Sequence, residues 1–94
     1  MTVFWTLGAQ QDRADIWGYI AADNPRAAAK MDSLFSDAAT LLSEHPKIGR
    51  DGKISGTREL VPHKNYRMVY QIEGDTVWIL VLLHCARLWP DAAR

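Results

Sequence analysis

Five side chains able to move protons or hold anions crowd the last third of this 94-residue chain: His63, Tyr66, Arg67, His84 and Arg87. Imidazole accepts and donates protons near neutral pH, and a guanidinium grips phosphate or carboxylate through a planar fork. Metal-free phosphodiester cleavage uses such an inventory: a base, an acid, and cations for the charge that develops on phosphate. Each residue also has a plainer role. Arg67 can pair with Glu59 across neighbouring strands, and Arg58 with Glu59 at a sheet edge. His84 can bond to backbone at a strand end, and His63 can be a solvated turn residue. A second grouping, Arg50, Lys53, Arg58, Arg67, Arg87 and Trp89, suits a surface that grips a protein. No carboxylate or third imidazole stands at ligand spacing from His63 and His84, so neither a metal nor another cofactor is expected. The single cysteine, Cys85, excludes an internal disulfide and a cysteine-based metal site.

The elements that must position these groups follow from the pattern. Val3 to Leu7 reads as a short strand ended by Gly8. Ala9 to Ala22 reads as a helix with Ala9, Ile16, Tyr19 and Ile20 inward and Asp12, Arg13 and Asp15 on the wet side. Asn24 and Pro25 open a second helix, 25–44, whose apolar stripe runs Ala28, Met31, Leu34, Phe35, Ala38, Leu41, Leu42. Pro46 to Gly56 is a basic loop expected along one sheet edge. Three strands complete the chain: 57–62, 66–73 and 76–83, the last two joined at Gly74-Asp75. In the middle one, Tyr66, Met68, Tyr70 and Ile72 point to the helices, and Arg67 and Gln71 to an open face. The last strand is apolar on both faces, as an interior strand must be. The reading is an α+β domain spanning 1–94: a helical hairpin on one face of a four-stranded, mostly antiparallel sheet, in the order β-α-α-β-β-β.

Bulk properties limit the function. The net charge is zero, so no overall field draws the chain to nucleic acid. The charge is uneven: residues 1–45 carry three basic and six acidic groups, and residues 46–94 eight basic and five acidic. The helical half is therefore acidic and the strand half basic. A hydrophobic fraction of 48% is high for so small an interior, which points to apolar surface shared with a partner. The start of the chain lacks a basic, apolar leader pattern, and the run Val77 to Leu83 is too short to cross a membrane. The expectation is a cytoplasmic protein.

Several phrases, in this order and spacing, resemble the RelE/ParE family of toxins from type II toxin–antitoxin modules, over essentially the whole chain. They are Trp5 in the opening strand, Ile16-Trp-Gly-Tyr-Ile20, Asn24-Pro-Arg-Ala-Ala, Glu44-His-Pro-Lys-Ile-Gly-Arg50, Gly56-Thr-Arg-Glu-Leu60, Tyr66-Arg-Met-Val-Tyr70 and Leu83-His-Cys-Ala-Arg-Leu-Trp-Pro90. The resemblance implies a growth-inhibiting toxin held by an antitoxin of the same operon, whose acidic C-terminal segment complements the basic half. Operator DNA is reached only through that antitoxin. RelE-like members cut messenger RNA on the ribosome, whereas ParE-like members target DNA gyrase. The Gly-Thr-Arg-Glu-Leu and Leu-His-x-Ala-Arg-x-Trp-Pro phrases look closer to the ParE-like, plasmid-stabilisation branch. Arg67 matches the nuclease arginine, but Val61 and Asn65 stand where histidine-using nucleases place proton-transfer groups. A net charge of zero also suits a polyanionic ribosome poorly, so gyrase is the favoured target and the messenger RNA endonuclease the alternative.

Overall fold

The computed structural model of the chain describes residues 1–87 and 89–90. Strand β1 (Thr2–Trp5) is followed by helices α1 (Leu7–Ala21) and α2 (Pro25–Glu44), then β2 (Arg50–Asp51), β3 (Thr57–His63), β4 (Tyr66–Glu73) and β5 (Thr76–His84). The sheet order is β1-β5-β4-β3-β2, with β1 parallel to β5 and the other neighbours antiparallel. This is the expected β-α-α-β-β-β layout with one more strand, because two residues of the basic loop, Arg50 and Asp51, pair along the outer edge of β3.

The first helix starts two residues earlier than its glycine suggests. Thr6 is the cap, its hydroxyl accepting from the Ala9 amide at 3.1 Å, so Gly8 is already helical. Asn24 caps α2 through Ala27 N–H, with Pro25 at the first helical position. Phe35, Ala38 and Leu42 of α2 are buried against Met68, Tyr70, Val77, Ile79 and Leu82 of the sheet, and Ala28 is buried as well. The wet side assigned to α1 is wrong in part. Arg13 clasps α2, at 2.6 Å from Asp32 and 2.7 Å from the Ser36 hydroxyl, with its guanidinium over the Trp5 ring. Tyr19, expected inward, is 81% exposed, because it overhangs a cavity rather than the sheet.

The β4–β5 ladder slips by one residue: Val69 pairs with Val81, but Tyr70 with Ile79, which leaves Leu80 as the extra residue of a bulge. The slip lets Val77 and Ile79 before it, and Leu82 after it, all face the helices. Beyond Ile79, β1 no longer covers the edge of β5. The start of α1 takes over: Thr6 N–H donates to Ile79 O, Thr6 Oγ1 to Leu80 O, and Leu82 N–H to Asp12 Oδ2 at 3.1 Å. An α1 carboxylate thus satisfies a strand donor that would otherwise be an orphan.

Candidate functional site

The register places His63 opposite Tyr66, and Tyr66 opposite His84. The three form a row across β3, β4 and β5 with the phenol in the middle, so the two imidazole-bearing backbones stand roughly 10 Å apart, two interstrand spacings. Tyr66 is 8% exposed and meets Phe35 edge-on at 5.8 Å and His84 at 5.4 Å. Burial pushes its hydroxyl above the usual phenol range, and neighbouring Tyr19 raises it further. Both histidines do the same local job. His63 Nδ1 accepts from Asn65 N–H and His84 Nδ1 from Ala86 N–H, each at 3.1 Å. The lone pair of each neutral ring is occupied by backbone, and Nε2 is left as the N–H. The turns that carry them are tied together by Cys85 N–H donating to Asn65 O at 2.7 Å.

Arg67 lies on the opposite face. Its guanidinium is 3.4 Å from Glu59 Oε1, and Nη2 also donates to the carbonyl of Arg87. Arg50 approaches the same Glu59 oxygen at 3.5 Å. This face is not open, as the sequence suggests: Thr57, Glu59, Arg67 and Val69 are all buried. The Arg67–Glu59 pair and the returning chain at Arg87 occupy it. Arg58 does not pair with Glu59 either. It donates to the carbonyls of Lys47 at 3.2 Å and Gly49 at 2.9 Å, strapping the basic loop to β3. Tyr70 reinforces that strap from below, donating to Pro46 O at 2.7 Å and accepting from Gly49 N–H at 2.9 Å. Gly49 has no room for a side chain, since a Cβ would stand 2.6 Å from the Tyr70 hydroxyl. Of the expected gripping surface, Arg50 and Lys53 are exposed beside a 320 Å³ cavity that Arg67 and Glu59 also line, Arg87 is exposed with its carbonyl accepting from Arg67, and Trp89 is half-buried.

Tyr66, His84 and Arg87 do meet, in a 340 Å³ cavity between the end of β5 and α1. Its other wall is Asp12, Asp15, Ile16 and Tyr19, which the sequence reading left out of the site. Their spacing, i, i+3, i+4, i+7, was the available signal: it sets all four on one helix face. Among the described residues no group of three or more potential metal ligands comes together.

A family model for the ParE toxin of type II toxin–antitoxin systems, parDE, matches residues 3–89. The chain belongs to the ParE toxin family. Protein Y4kP of Sinorhizobium fredii is 40% identical over 88 residues, covering 93% of this chain and 91% of its own. Among solved structures, the chromosomal ParDE system of P. aeruginosa superposes with a TM-score of 0.76 at 22% identity, over 89% of this chain and 95% of that one. The RelBE2 toxin–antitoxin complex of Mycobacterium tuberculosis gives 0.63 at 27% identity, over 88% and 95%. A YoeB/ParE toxin of Agrobacterium tumefaciens gives 0.65 at 17%, over 89% and 98%. The fold is common to ParE and RelE toxins, so the choice of target rests on this toxin's own side chains.

Proposed function

We propose that this ParE-family toxin stops growth by binding DNA gyrase rather than by cutting RNA. One observation carries the reading: the groups a nuclease would need are on opposite faces of the sheet. His63, Tyr66 and His84 lie on the helix side, while the one arginine matching a nuclease residue, Arg67, is buried beneath, neutralised by Glu59. Nδ1 of each histidine accepts from a backbone amide two residues onward, which serves a turn rather than a substrate. A cognate antitoxin neutralises the toxin, its acidic segment covering the basic surface at Arg50, Lys53 and Arg58, in the cytoplasm and on plasmids that such modules stabilise. The alternative, a ribosome-dependent messenger RNA endonuclease, draws on the unbroken row His63–Tyr66–His84 with Arg87 nearby. Induction of the toxin, followed in parallel by plasmid supercoiling and primer extension on messenger RNA, tests the choice. Loss of negative supercoiling with intact transcripts is expected; codon-phased cuts with normal supercoiling reverse the assignment.

A further inference from the structure

We propose that two copies of this toxin join through the free edge of β1. The two edges of the sheet are finished differently. The β2 edge is two residues long and both are charged, Arg50 and Asp51, which is one way sheet edges are kept from pairing. The β1 edge runs Thr2-Val-Phe-Trp5 with no charge, no proline and no bulge. Thr2 N–H donates to Asp75 O and Thr6 N–H to Ile79 O, so the even-numbered residues bond toward β5. Val3 and Trp5 therefore turn their N–H and C=O groups outward. Among the described residues a single hydrogen bond reaches that side, from Gln10 Nε2 to Trp5 O at 3.0 Å.

A second copy fits this edge better than an acidic segment does. Antiparallel pairing about a two-fold axis at Phe4 sets Val3 opposite Trp5 of the second copy, and Trp5 opposite its Val3. Each facing pair then exchanges both of its N–H···O bonds, with Trp5 O shared with Gln10. Phe4 meets the second copy's Phe4 as the close, non-hydrogen-bonded pair. Val3 and Trp5 pack toward the helices, so Phe4 stands on the far face, 48% exposed and stacked on Trp78 at 5.2 Å. The pairing extends that stack through both copies and takes it out of water. Charge points the same way. No Asp, Glu, Lys or Arg precedes Asp12, and Arg13, whose guanidinium lies over the Trp5 ring, is held by Asp32. An acidic antitoxin segment finds no free cation on this strand, whereas two uncharged strands on chains of zero net charge meet without repulsion. The basic surface at Arg50 and Lys53 borders the opposite edge, so self-pairing leaves it open to the antitoxin. A four-residue pairing is smaller than a stable interface, so the dimer is a weak one.

Sedimentation equilibrium of the full chain, from about 1 to 500 µM, should show monomer passing to dimer with a dissociation constant on the order of 10–100 µM. Val3→Pro deletes an outward N–H and spares the β5 ladder, and Phe4→Lys sets two like charges face to face. Each should weaken self-association at least about tenfold with an unchanged circular dichroism spectrum. Phe4→Leu should keep most of it, and Asp51→Lys, at the other edge, should leave it unchanged. Hydrogen exchange at the Val3 and Trp5 amides should slow as the dimer fills. Four results would each overturn the assignment: a monomer at every concentration, a dimer indifferent to both β1 variants, a dimer lost with Asp51→Lys, or Val3 and Trp5 amides protected only when a peptide of the antitoxin's acidic C-terminal segment is added.

Discussion

Strand β4 is buried on both faces, but by different materials. Toward the helices, Tyr66, Met68 and Tyr70 meet Phe35, Leu42, Ile79 and Leu82, an interlocking hydrocarbon layer. On the other face, Val69 and the Arg67 guanidinium lie beneath a charged cluster, with Glu59 shared by Arg67 and Arg50. Burial of the first kind stabilises by removing apolar area from water. Burial of the second kind roughly cancels Coulomb attraction against desolvation, and here Arg67 Nε is buried without a partner among the described residues. The hydrocarbon face therefore holds the domain together, while the charged face fixes where the basic loop and the returning chain sit. An arginine committed to that task is a poor phosphate ligand, which is how the comparison bears on function.

The contrast breaks most visibly on the hydrocarbon side. Phe35→Ala empties a site that is 1% exposed and should cost about 3–5 kcal/mol in urea unfolding, enough to abolish folding of a domain this small. On the charged side, Arg67→Ala should cost about 3 kcal/mol by leaving Glu59 with only Arg50, whose side chain is largely exposed. The sharper measurement is the pair. Arg67→Met with Glu59→Leu removes both charges, keeps the volume, and should recover most of that loss, which a double-mutant cycle reads directly. Full additivity of the two single costs would mean that the charged face stabilises as the hydrocarbon face does.

Most of the hydrocarbon face was legible in the sequence, and much of the charged one was not. Alternation in 66–73 and the 3–4 stripe of α2 report burial directly, and they placed Phe35, Leu42, Met68 and Tyr70 correctly. The Arg67–Glu59 pairing was also readable, as a cross-strand pair. Three things escaped because they depend on register or on long-range approach. A bulge at Leu80 is invisible in a run apolar on both faces. The strand at Arg50–Asp51 has no strand pattern and exists because β3 offers it an edge. Asp12 looks like a solvent-facing helix residue until α1 is laid along the uncovered end of β5. For the candidate site, the residue types were found and alternation already set Tyr66 and Arg67 on opposite faces, but the alignment of His63 and His84 with Tyr66 follows from pairings that composition cannot give.

A smaller effect tests the join between the two regions. Tyr70 belongs to the hydrocarbon layer, yet its hydroxyl holds the basic loop through Pro46 and Gly49. Tyr70→Phe should cost about 1–3 kcal/mol, since it removes one donor and leaves the Gly49 amide without its acceptor. Burial, partly offset by the Gly49 amide and Arg58, holds this phenol above its ordinary range. Its folded pKa exceeds the unfolded value, so its share of stability is complete below about pH 10 and falls as pH rises beyond. Alkaline unfolding should accordingly be less steep in Tyr70→Phe than in the parent, and an unchanged alkaline limb would show that the hydroxyl is not the group responsible.

The smallest expected effect is the one that speaks most directly to mechanism. His63 and His84 each bond a turn amide two residues onward and neither is fully buried, so His63→Ala or His84→Ala should lower the melting temperature only slightly. If the toxin acts by binding a protein, growth inhibition after induction should persist in both variants, alone and combined, while the antitoxin still rescues. If instead the row His63–Tyr66–His84 performs proton transfer, losing one imidazole should cut messenger RNA cleavage by about 100-fold or more. Toxicity would then vanish from a protein whose fold is unchanged. Arg67→Ala cannot make this distinction, because its loss destabilises the charged face whatever the mechanism. The histidines can, because their structural contribution is slight, and a plating assay beside circular dichroism separates a lost fold from a lost proton carrier.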